Sequence, residues 1–453
     1  MQTFDLIVIG AGSGLNVSSA AADMGLKVAV VEKGPMGGTC LNRGCIPSKI
    51  IIHSADVAET IKRSKLFGIN SKISLIDFKK ITSRASNIVD KDAREIEEGI
   101  KEDKNTTLFK VKAKFIAERT LRVGNETIKG NKVVIAAGTR PSIPDIDGLK
   151  EVDFITSDEG LRLKKQPKVM TILGGGYIAA ELAHFYGSLG TKINIIQRGP
   201  LLIPNEDEEI ALAFTDIFKK KYNVLTKFDA IKVRKHNGKF IVLAEGKKRK
   251  RKIISDQLLV AAGRIPNSDL LDLGKSKVQV DDRGFIKTNG YLETTAKNIW
   301  ALGDIVGKFL FKHSANLEAQ YVHNNAFLNM RTKVDYSAMP HAIFSSPQVA
   351  GVGMREQDLR NKKKDYAIGK YKFINSGMGL ALQDNDGFVK ILADRKTRKI
   401  LGCHILGSDA STLIHEVVVA MKGGLKIDSL LYSVHVHPAL SEVVQRAANN
   451  IKW

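Results

Sequence analysis

Two cysteines separated by four residues are the side chains best suited to chemistry. Cys40 and Cys45 lie in the stretch GGTCLNRGCIPSK, and such a pair could clip a metal ion, staple a loop or cycle between thiols and a disulfide. Along a regular helix, five residue steps rise about 7.5 Å, which exceeds the roughly 4.4 to 6.8 Å that a disulfide allows between α-carbons. A bond between the two cysteines therefore needs a distorted turn, which Gly44 can supply.

The metal and staple interpretations fit the chain less well than a redox pair does. A zinc site needs further ligands at suitable spacing, and Cys403 and His404 are far away in sequence. A structural disulfide that closes so short a loop would stabilise the fold little and would face reduction in the cytoplasm. We therefore predict a redox-active cysteine pair and no metal site.

A redox pair needs a group that takes or holds a proton, and the stretch SVHVHPALSEVVQ near the C-terminus offers one. His437 is followed five residues later by Glu442, so the carboxylate can orient an imidazole that titrates near neutral pH. We take His437 and Glu442 as the candidate acid/base couple. For His435 and Cys403 we expect structural roles.

Residues 5–32, immediately before the cysteines, predict a dinucleotide-binding module. A buried strand, a glycine turn, a helix of small residues and a second strand follow in order, and the second strand ends at Glu32. Gly10 permits the tight turn, Gly12 lets a pyrophosphate approach the backbone, and Glu32 can accept hydrogen bonds from a ribose diol. The third fingerprint position holds Leu15, with a glycine one residue earlier, so close packing of helix on strand must be achieved differently.

The same pattern recurs over residues 168–198, so we predict two bound dinucleotides. The fingerprint positions of this second copy are Gly174, Gly176 and Ala179. Its second strand ends in Gln197 and Arg198, where the first copy ends in an acid. This ending favours NADPH over NAD, because an amide and a guanidinium accept a 2′-phosphate that a carboxylate repels.

Three further apolar strands end in turns that belong with these modules. The stretches KVVIAAG and QLLVAAG follow the first and second copies and look like matching exits from two similar domains. The stretch NIWALGDIVG ends a third strand at Gly303 and Asp304, a turn that could present a carboxylate to a polyol.

The chain has 453 residues and a formal net charge of +22, which is unusual for an enzyme. Its most basic run, GKKRKRK, lies between two strand-like segments and lacks the interleaved aromatic residues that stack on bases. We expect a solvated basic turn at a hairpin tip, with an acidic protein partner or nonspecific attraction to polyanions as the alternatives, and we do not favour a nucleic acid partner. No apolar run reaches the length of a membrane span, and the first strand begins at Phe4 without room for a cleavable signal peptide, so we expect a cytoplasmic protein.

Together these motifs resemble the FAD-dependent pyridine nucleotide-disulfide oxidoreductases over essentially the whole chain. The stretches that carry the resemblance are GGTCLNRGCIPSK, both glycine fingerprints, ALGDIVG and HPALSE. The resemblance implies an α/β fold class with two doubly wound dinucleotide-binding domains, one for FAD and one for NAD(P), and a C-terminal α+β dimerisation domain. The implied boundaries are 1–145 and 265–334 for the FAD domain, 146–264 for the NAD(P) domain and 335–453 for the interface domain.

The resemblance also implies roles for individual residues. Cys45 would face the flavin and Cys40 the substrate, and His437 of the partner subunit, oriented by Glu442, would be the acid/base. The residues expected around FAD are Gly10, Gly12, Gly14, Glu32, Lys33, Thr39, Lys49, Gly138, Asp304, Lys312 and His313. The residues expected around NAD(P) are Gly174, Gly175, Gly176, Tyr177, Ile178, Glu181, Gln197, Arg198 and Gly263.

The implied reaction passes electrons between NAD(P)(H), FAD, the cysteine pair and a dithiol substrate in a homodimer. The cysteine stretch is most similar to that of dihydrolipoyl dehydrogenases, which gives dihydrolipoamide and NAD⁺ as the first expectation. The candidate partner is then a lipoyl domain of a 2-oxoacid dehydrogenase or glycine cleavage complex. The stretches GGGYIAAELAHFYGSLGT and HSANLEAQ are more similar to mycothione reductases, which gives an NADPH-dependent reductase of a low-molecular-weight disulfide as the alternative.

Overall fold

The computed structural model describes residues 1–247 and 249–453. Its strands are β1 (Gln2–Ile9), β2 (Val28–Val31), β3 (Thr106–Phe109), β4 (Ala113–Ala117), β5 (Thr120–Val123), β6 (Glu126–Ile135), β7 (Thr139–Pro141), β8 (Val169–Leu173), β9 (Lys192–Gln197), β10 (Asn223–Thr226), β11 (Phe228–His236), β12 (Lys239–Gly246), β13 (Arg249–Ser255), β14 (Gln257–Val260), β15 (Arg264–Pro266), β16 (Ile299–Ala301), β17 (Pro340–Ile343), β18 (Gln348–Gly353), β19 (Tyr366–Lys372), β20 (Phe388–Asp394) and β21 (Ile400–Gly407). Its helices are α1 (Gly14–Asp23), α2 (Gly38–Arg43), α3 (Cys45–Arg63), α4 (Phe78–Glu102), α5 (Ser157–Gly160), α6 (Tyr177–Ser188), α7 (Glu208–Lys221), α8 (Lys312–Phe327), α9 (Glu356–Asn361), α10 (Gly377–Ala381), α11 (Ala410–Lys422), α12 (Ile427–Tyr432) and α13 (Glu442–Asn449).

The first sheet has seven strands in the order β3-β2-β1-β6-β5-β4, with β16 paired to β6. The strands β1, β2, β3, β6 and β16 run parallel, and β4 and β5 add an antiparallel meander. Apolar residues of α1 and α8 pack on one face of β1. A parallel strand is covered on both faces, which explains why β1 ends in the buried apolar run Leu6–Ile9. Since β16 follows the whole second module, two separate chain segments build this sheet.

The second sheet is parallel, in the order β10-β9-β8-β14. Residues of α6 and α7 cover one face, and an antiparallel sheet, β11-β12-β13, covers the other. The two Ala-Ala-Gly exits meet, because β7 and β15, which follow them, pair as an antiparallel ribbon. The β7–β15 ribbon therefore connects the exit strands of the two modules directly.

The C-terminal part forms a five-stranded antiparallel sheet in the order β17-β18-β21-β20-β19, with α11 and α13 packed on it. The predicted fold class, two doubly wound dinucleotide-binding units and a C-terminal α+β unit, is confirmed. The domain boundaries remain predictions. No helix among the described residues is both long and apolar enough to span a membrane.

The basic run lies on a hairpin, but it extends beyond the predicted turn. The residues Arg249, Lys250, Arg251 and Lys252 belong to strand β13 and are exposed. Lys248, in the same basic run, lies outside the described residues.

A buried lysine joins the second module to the C-terminal sheet. Lys390 on β20 is almost fully buried, and its Nζ lies 2.8 Å from Asp207, 2.6 Å from Glu356 and 3.2 Å from Glu209. Asp207, at the start of α7, is itself fully buried. Each charge therefore depends on the other for compensation, because water reaches neither of them.

We expect Lys390→Met to lower the free energy of unfolding by about 3 to 5 kcal/mol, because the substitution leaves a buried carboxylate without its cation. Urea denaturation followed by circular dichroism measures the loss. The matched control is Lys370→Met, because Lys370 contacts the same Glu209 at 2.6 Å but is exposed. The control should lose less than about 1 kcal/mol, and equal losses would contradict the buried-pair argument.

Candidate active site

A cavity of about 380 Å³ opens between the first glycine turn, the cysteine helices and the start of α8. It brings together residues from distant parts of the chain. The predicted residues that line it are Gly10, Gly12, Glu32, Lys33, Thr39, Cys40, Cys45, Lys49, Gly138, Ile178, Glu181, Asp304 and Lys312. Of the residues expected around FAD, Gly14 and His313 do not line the cavity.

The first glycine turn leaves backbone open to the cavity at one position. Gly10 has a φ of 103°, and a Cβ there would overlap the carbonyl of Ala136. A Cβ at Gly12 would meet only the α-carbon of Gly38, at 3.9 Å. Gly12 thus exposes its backbone beside the N-terminus of α1, where an anion is favoured.

Gly14 has a different place from the predicted one. A Cβ on Gly14 would lie 2.8 Å from a methyl of Val8 and 2.9 Å from the Cβ of Ala136. Its contribution is therefore close packing of α1 on the sheet. This is the role that the fingerprint assigns to its third glycine, and Gly14 fills it in place of Leu15.

Glu32 holds the turn that it faces. Its Oε2 accepts a hydrogen bond from the backbone N–H of Ala11 at 2.9 Å, and its Oε1 accepts one from Gly34 at 2.7 Å. The carboxylate is thus fixed at the cavity wall.

The two cysteines lie on different helices. α2 ends at Arg43, Gly44 adopts φ −146° and ψ −116°, and α3 begins at Cys45. A Cβ on Gly44 would come within 2.9 Å of the carbonyl oxygen of Thr39. The helix is thus interrupted at Gly44, between the cysteines, where the spacing predicts a distorted turn.

The two thiols have opposite electrostatic environments. Cys45 has its pKa lowered to about 7, first by the hydrogen bond from Cys40 and also by the charge of Lys49. The same hydrogen bond, followed by burial, raises the pKa of Cys40. As the pH rises through about 7, the thiolate of the pair therefore forms on Cys45, while Cys40 keeps its proton.

An ion pair crosses the cavity from the first module to the second. Nζ of Lys49, on α3, lies 2.9 Å from both carboxylate oxygens of Glu181, on α6. The Lys49 ammonium also lies 4.3 Å from the ring centre of Phe344, whose N–H donates to Glu181. The predicted FAD-side lysine and nicotinamide-side glutamate therefore share one contact.

Asp304 belongs to a hydrogen-bonded cluster that sequence reasoning missed. Its Oδ2 accepts a hydrogen bond from the hydroxyl of Thr139 at 2.9 Å, and Arg264 donates to Thr139 twice, at 2.7 and 2.8 Å. Burial raises the pKa of Asp304, although Thr139 and Arg264 oppose the rise. Thr139 and Arg264 each directly follow the glycine of an Ala-Ala-Gly exit, and this position was the sequence signal that could have indicated them.

A second missed carboxylate supports the same turn. Glu318, fully buried on α8, accepts hydrogen bonds from the N–H of Gly303 at 2.6 Å and from the hydroxyl of Tyr336 at 2.7 Å. Burial raises its pKa. Its only sequence signal is its place in the stretch HSANLEAQ.

Lys312 and His313, adjacent in sequence, diverge in space. Nζ of Lys312 donates to the hydroxyl of Ser13 at 3.0 Å, and burial lowers its pKa while the two cysteines oppose that shift. The His313 ring instead contacts the carbonyl oxygen of Pro340 at 2.8 Å and stacks on Phe311. Lys312 lines the cavity, and His313 joins α8 to the C-terminal sheet.

The second glycine turn repeats the geometry of the first. Gly174 has a φ of 108°, and a Cβ there would overlap the carbonyl of Ala261. A Cβ on Gly175 would lie 2.6 Å from Leu202, whereas Gly176 and Gly263 face open space. Gly176 therefore offers an open backbone at the start of α6.

Tyr177, next along α6, is held by a network that the sequence did not indicate. Its hydroxyl donates to Glu206, which His341 contacts at 2.7 Å. Burial and the nearby Glu206 raise the pKa of Tyr177.

The end of β9 carries no carboxylate. The amide of Gln197 donates to the carbonyl of Leu201 at 3.2 Å, so its side chain is turned into its own loop. The Arg198 side chain is 85% exposed, with Asp229 at 3.9 Å.

His437 does not line the cavity that contains the cysteines. Its ring, 75% exposed, contacts Oε1 of Glu442 through Nδ1 at 3.0 Å. Glu442 also accepts a hydrogen bond from the N–H of Ala439, and its pKa is lowered, first by His437. The structure thus contains the oriented His437–Glu442 couple, and Nε2 of His437 points away from the carboxylate.

Cys403 and His435, for which structural roles are expected, lie away from the cavity of the cysteine pair. Cys403 is fully buried on β21, and burial raises its pKa. His435 contacts Glu416 at 3.0 Å. Among the described residues, no group of three or more His, Cys, Asp or Glu side chains could hold a metal ion.

Comparisons with known proteins agree on one family. Residues 4–324 match the family model described as pyridine nucleotide-disulphide oxidoreductase, and residues 339–448 match its dimerisation domain. The chain is 34% identical to mycothione reductase of Mycobacterium tuberculosis, over 99% of both chains. It is 32% identical to dihydrolipoyl dehydrogenase of Bacillus subtilis, over 98% of this chain and 95% of that protein. The HOCl-induced flavoprotein disulfide reductase RclA from Escherichia coli, solved as a Cu(II) complex, superposes with a TM-score of 0.89 at 27% identity, over 99% of both chains.

We expect the thiolate absorbance of Cys45 in the reduced protein to appear with a midpoint near pH 7, since its pKa is lowered to about 7. Lys49→Met should move that midpoint to higher pH, because a cation that favours the thiolate is lost. The measurement is a far-ultraviolet pH titration, with Cys45→Ser subtracted as the blank. Lys65→Met, at an exposed lysine just beyond the end of α3, is the control and should leave the midpoint in place. A midpoint that does not respond to Lys49→Met would contradict the assignment.

Proposed function

Because the chain belongs to the pyridine nucleotide-disulphide oxidoreductase family, we propose that its Cys40–Cys45 pair exchanges electrons with a dithiol or disulfide substrate. The observation that carries this proposal is the split between the two thiols. One is stabilised as a thiolate and the other as a protonated thiol, side by side in a cavity that a dinucleotide turn also lines. Such a split gives each sulfur a separate task in thiol–disulfide exchange.

The residues of the first module fit the FAD on which this family depends. Gly12 offers open backbone at a helix N-terminus for the pyrophosphate, Glu32 offers a fixed carboxylate for a ribose, and Asp304 offers one for a polyol. When bound, FAD supplies a two-electron carrier between the nicotinamide and the cysteines. The second module, through Gly174, Gly176 and Arg198, would hold NAD(P).

In the direction of dithiol oxidation, exchange begins on Cys40. A substrate thiolate attacks Sγ of Cys40, the Cys40–Cys45 bond breaks, and Cys45 leaves as a thiolate. The lower pKa makes Cys45 the better leaving group. The second substrate thiolate then attacks the substrate sulfur of the mixed disulfide, which releases the oxidised substrate and Cys40. The substrate loses two electrons, and the cysteine pair gains them.

The proton acceptor in this proposal is His437 of the partner subunit. The family model that matches residues 339–448 is described as a dimerisation domain. His437 is exposed, and the apolar side chains of Tyr432, Val434 and Val436 around it are exposed as well. Covering this surface with a second copy of the chain would bury those apolar groups and bring an oriented imidazole to another molecule.

We favour NADPH as the nucleotide and a low-molecular-weight disulfide as the substrate. The exposed Arg198 at the end of β9, with no carboxylate on that strand end, supports this choice. Arg198 can pair with a 2′-phosphate, whereas an acid at this point would repel one. The relative named mycothione reductase also supports a low-molecular-weight disulfide as the substrate.

Dihydrolipoyl dehydrogenase is the second candidate. The stretch GGTCLNRGCIPSK and the relative from Bacillus subtilis support it. In that case the partner would be a lipoyl domain, and the reaction would run toward NADH. A cytoplasmic location, expected from the sequence, is part of either proposal.

Mixed dimers test the contribution of the partner subunit. Cys45→Ser and His437→Gln homodimers should each be nearly inactive. Dimers formed at random from equal amounts of the two should recover about a quarter of wild-type turnover, because half of them contain one intact site of two. Steady-state oxidation of NAD(P)H, measured after unfolding and refolding the mixture, reports the recovery. No recovery would contradict a shared site. Cys403→Ala, carried through the same protocol, should keep full activity.

The nucleotide preference depends on Arg198. We expect Arg198→Glu to lower kcat/KM for NADPH about 10- to 100-fold relative to NADH, because a bridge to the 2′-phosphate becomes a repulsion. Lys192→Glu, at the exposed opposite end of β9, makes the same charge change and should leave the ratio unchanged. The wild-type enzyme should turn over NADPH with small disulfides faster than NAD⁺ with dihydrolipoamide. The reverse ranking would move the proposal to the second candidate.

A further inference from the structure

More than half of the net charge of the chain is concentrated in 34 residues. Between residues 219 and 252 there are 14 lysines and arginines and two acids, a net charge of +12 out of +22. Most of these cations lie on or beside the antiparallel sheet β11-β12-β13. The cysteine site and the nucleotide turns do not account for them.

The register of the three strands shows how the two faces of this sheet differ. Three residues that lie opposite one another on the three strands are called a rung here. The rung of Val233, Val242 and Ile253 is buried against the parallel sheet of the second module and belongs to its core. The neighbouring rungs alternate to the other side, because successive side chains on a strand point to opposite faces. The rungs of this outer face are Arg234–Ile241–Ile254, Lys232–Leu243–Lys252 and Asp229–Glu245–Lys250.

The outer face has an apolar centre and a cationic rim. Ile254 is 50% exposed and Leu243 is 37% exposed, and Ile231, at the bulge of β11, is 38% exposed. Arg234 and Lys252 flank these side chains on the two outer strands, and neither forms an ion pair with a described residue. Exposed apolar groups inside a polar rim are typical of a protein contact surface.

We propose that this outer face binds an acidic protein, one that presents carboxylates around a small apolar patch. Charge complementarity supports such a partner, because the unpaired cations Arg234 and Lys252 share rungs with the exposed side chains of Ile254 and Leu243. Nucleic acid fits less well, since no aromatic side chain lies on these rungs and Asp229 and Glu245 face the same way. The same two acids and the lack of aromatic anchors disfavour an anionic membrane surface. The surface is independent of the proposed disulfide chemistry.

The test measures binding of the holoenzyme to a labelled peptide of alternating glutamate and leucine, by fluorescence anisotropy. Arg234→Glu/Lys252→Glu should weaken binding at least about tenfold, because each reversal turns an attraction into a repulsion. Ile254→Thr should weaken it about threefold through lost apolar contact. The matched control, Lys164→Glu/Lys165→Glu, changes the same net charge at exposed lysines of the same module and should change binding less than twofold.

Parallel probes decide between the three kinds of partner. An all-glutamate peptide of equal length should bind more weakly than the mixed peptide, and raising the salt concentration should weaken both. Tighter binding of a single-stranded oligonucleotide, or of phosphatidylserine vesicles, would overturn the proposal. Equal losses in the face and control variants, or no effect of Ile254→Thr, would also overturn it. Unchanged turnover of a small disulfide by each variant verifies that the enzyme is folded.

Discussion

The close backbone approach between Gly12 and Gly38 is the contact on which the site depends. A Cβ on Gly38 would lie 2.7 Å from the α-carbon of Gly12, so residue 38, at the start of α2, cannot carry a side chain against the first glycine turn. The N–H of Gly37 donates to the carbonyl of Ala11 at 2.8 Å, and the buried Asn42 amide donates to the carbonyls of Met36 and Gly38. These contacts fix α2 against the turn and place Cys40 two residues away. The chemistry of the cysteines is therefore tied to the dinucleotide cavity by backbone geometry.

The second module reaches the cysteine helices through ion pairs, and the pair of Lys49 with Glu181 is the one that acts on the charge of Cys45. Lys49 lowers the pKa of Cys45, and Glu181, its partner on α6, raises it. The charge state of the thiolate thus depends on how the two modules face each other. Lys390, paired with Asp207, attaches the C-terminal sheet to the second module in turn. Ion pairs therefore join all three parts of the chain, and the pair of Lys390 with Asp207 is held away from water.

Local patterns were enough to predict the elements but not the cross-links between them. The glycine turns, the break at Gly44 and the His437–Glu442 couple each involve residues close in sequence, so spacing alone predicts them. The contacts that fix the site, Arg264 to Thr139 and Glu318 to Gly303, pair side chains with groups on other elements. Such contacts follow from how helices and strands pack, which no spacing rule encodes. The packing contact of Gly14 has the same origin, because its neighbour Ala136 lies just beyond the end of β6, far away in sequence.

The order of the two cysteines along the chain follows from the helices that carry them. Cys45 is the first residue of α3, a helix of 19 residues, and the positive end of such a helix favours an anion. Cys40 is the third residue of α2, a helix of only six residues. The hydrogen bond between the thiols then adds to this difference, since the proton stays on Cys40 and the charge on Cys45. Exchanging the two roles would require the thiolate to form away from the helix terminus and from Lys49. The break at Gly44 therefore puts Cys45, and not Cys40, at the first position of the long helix.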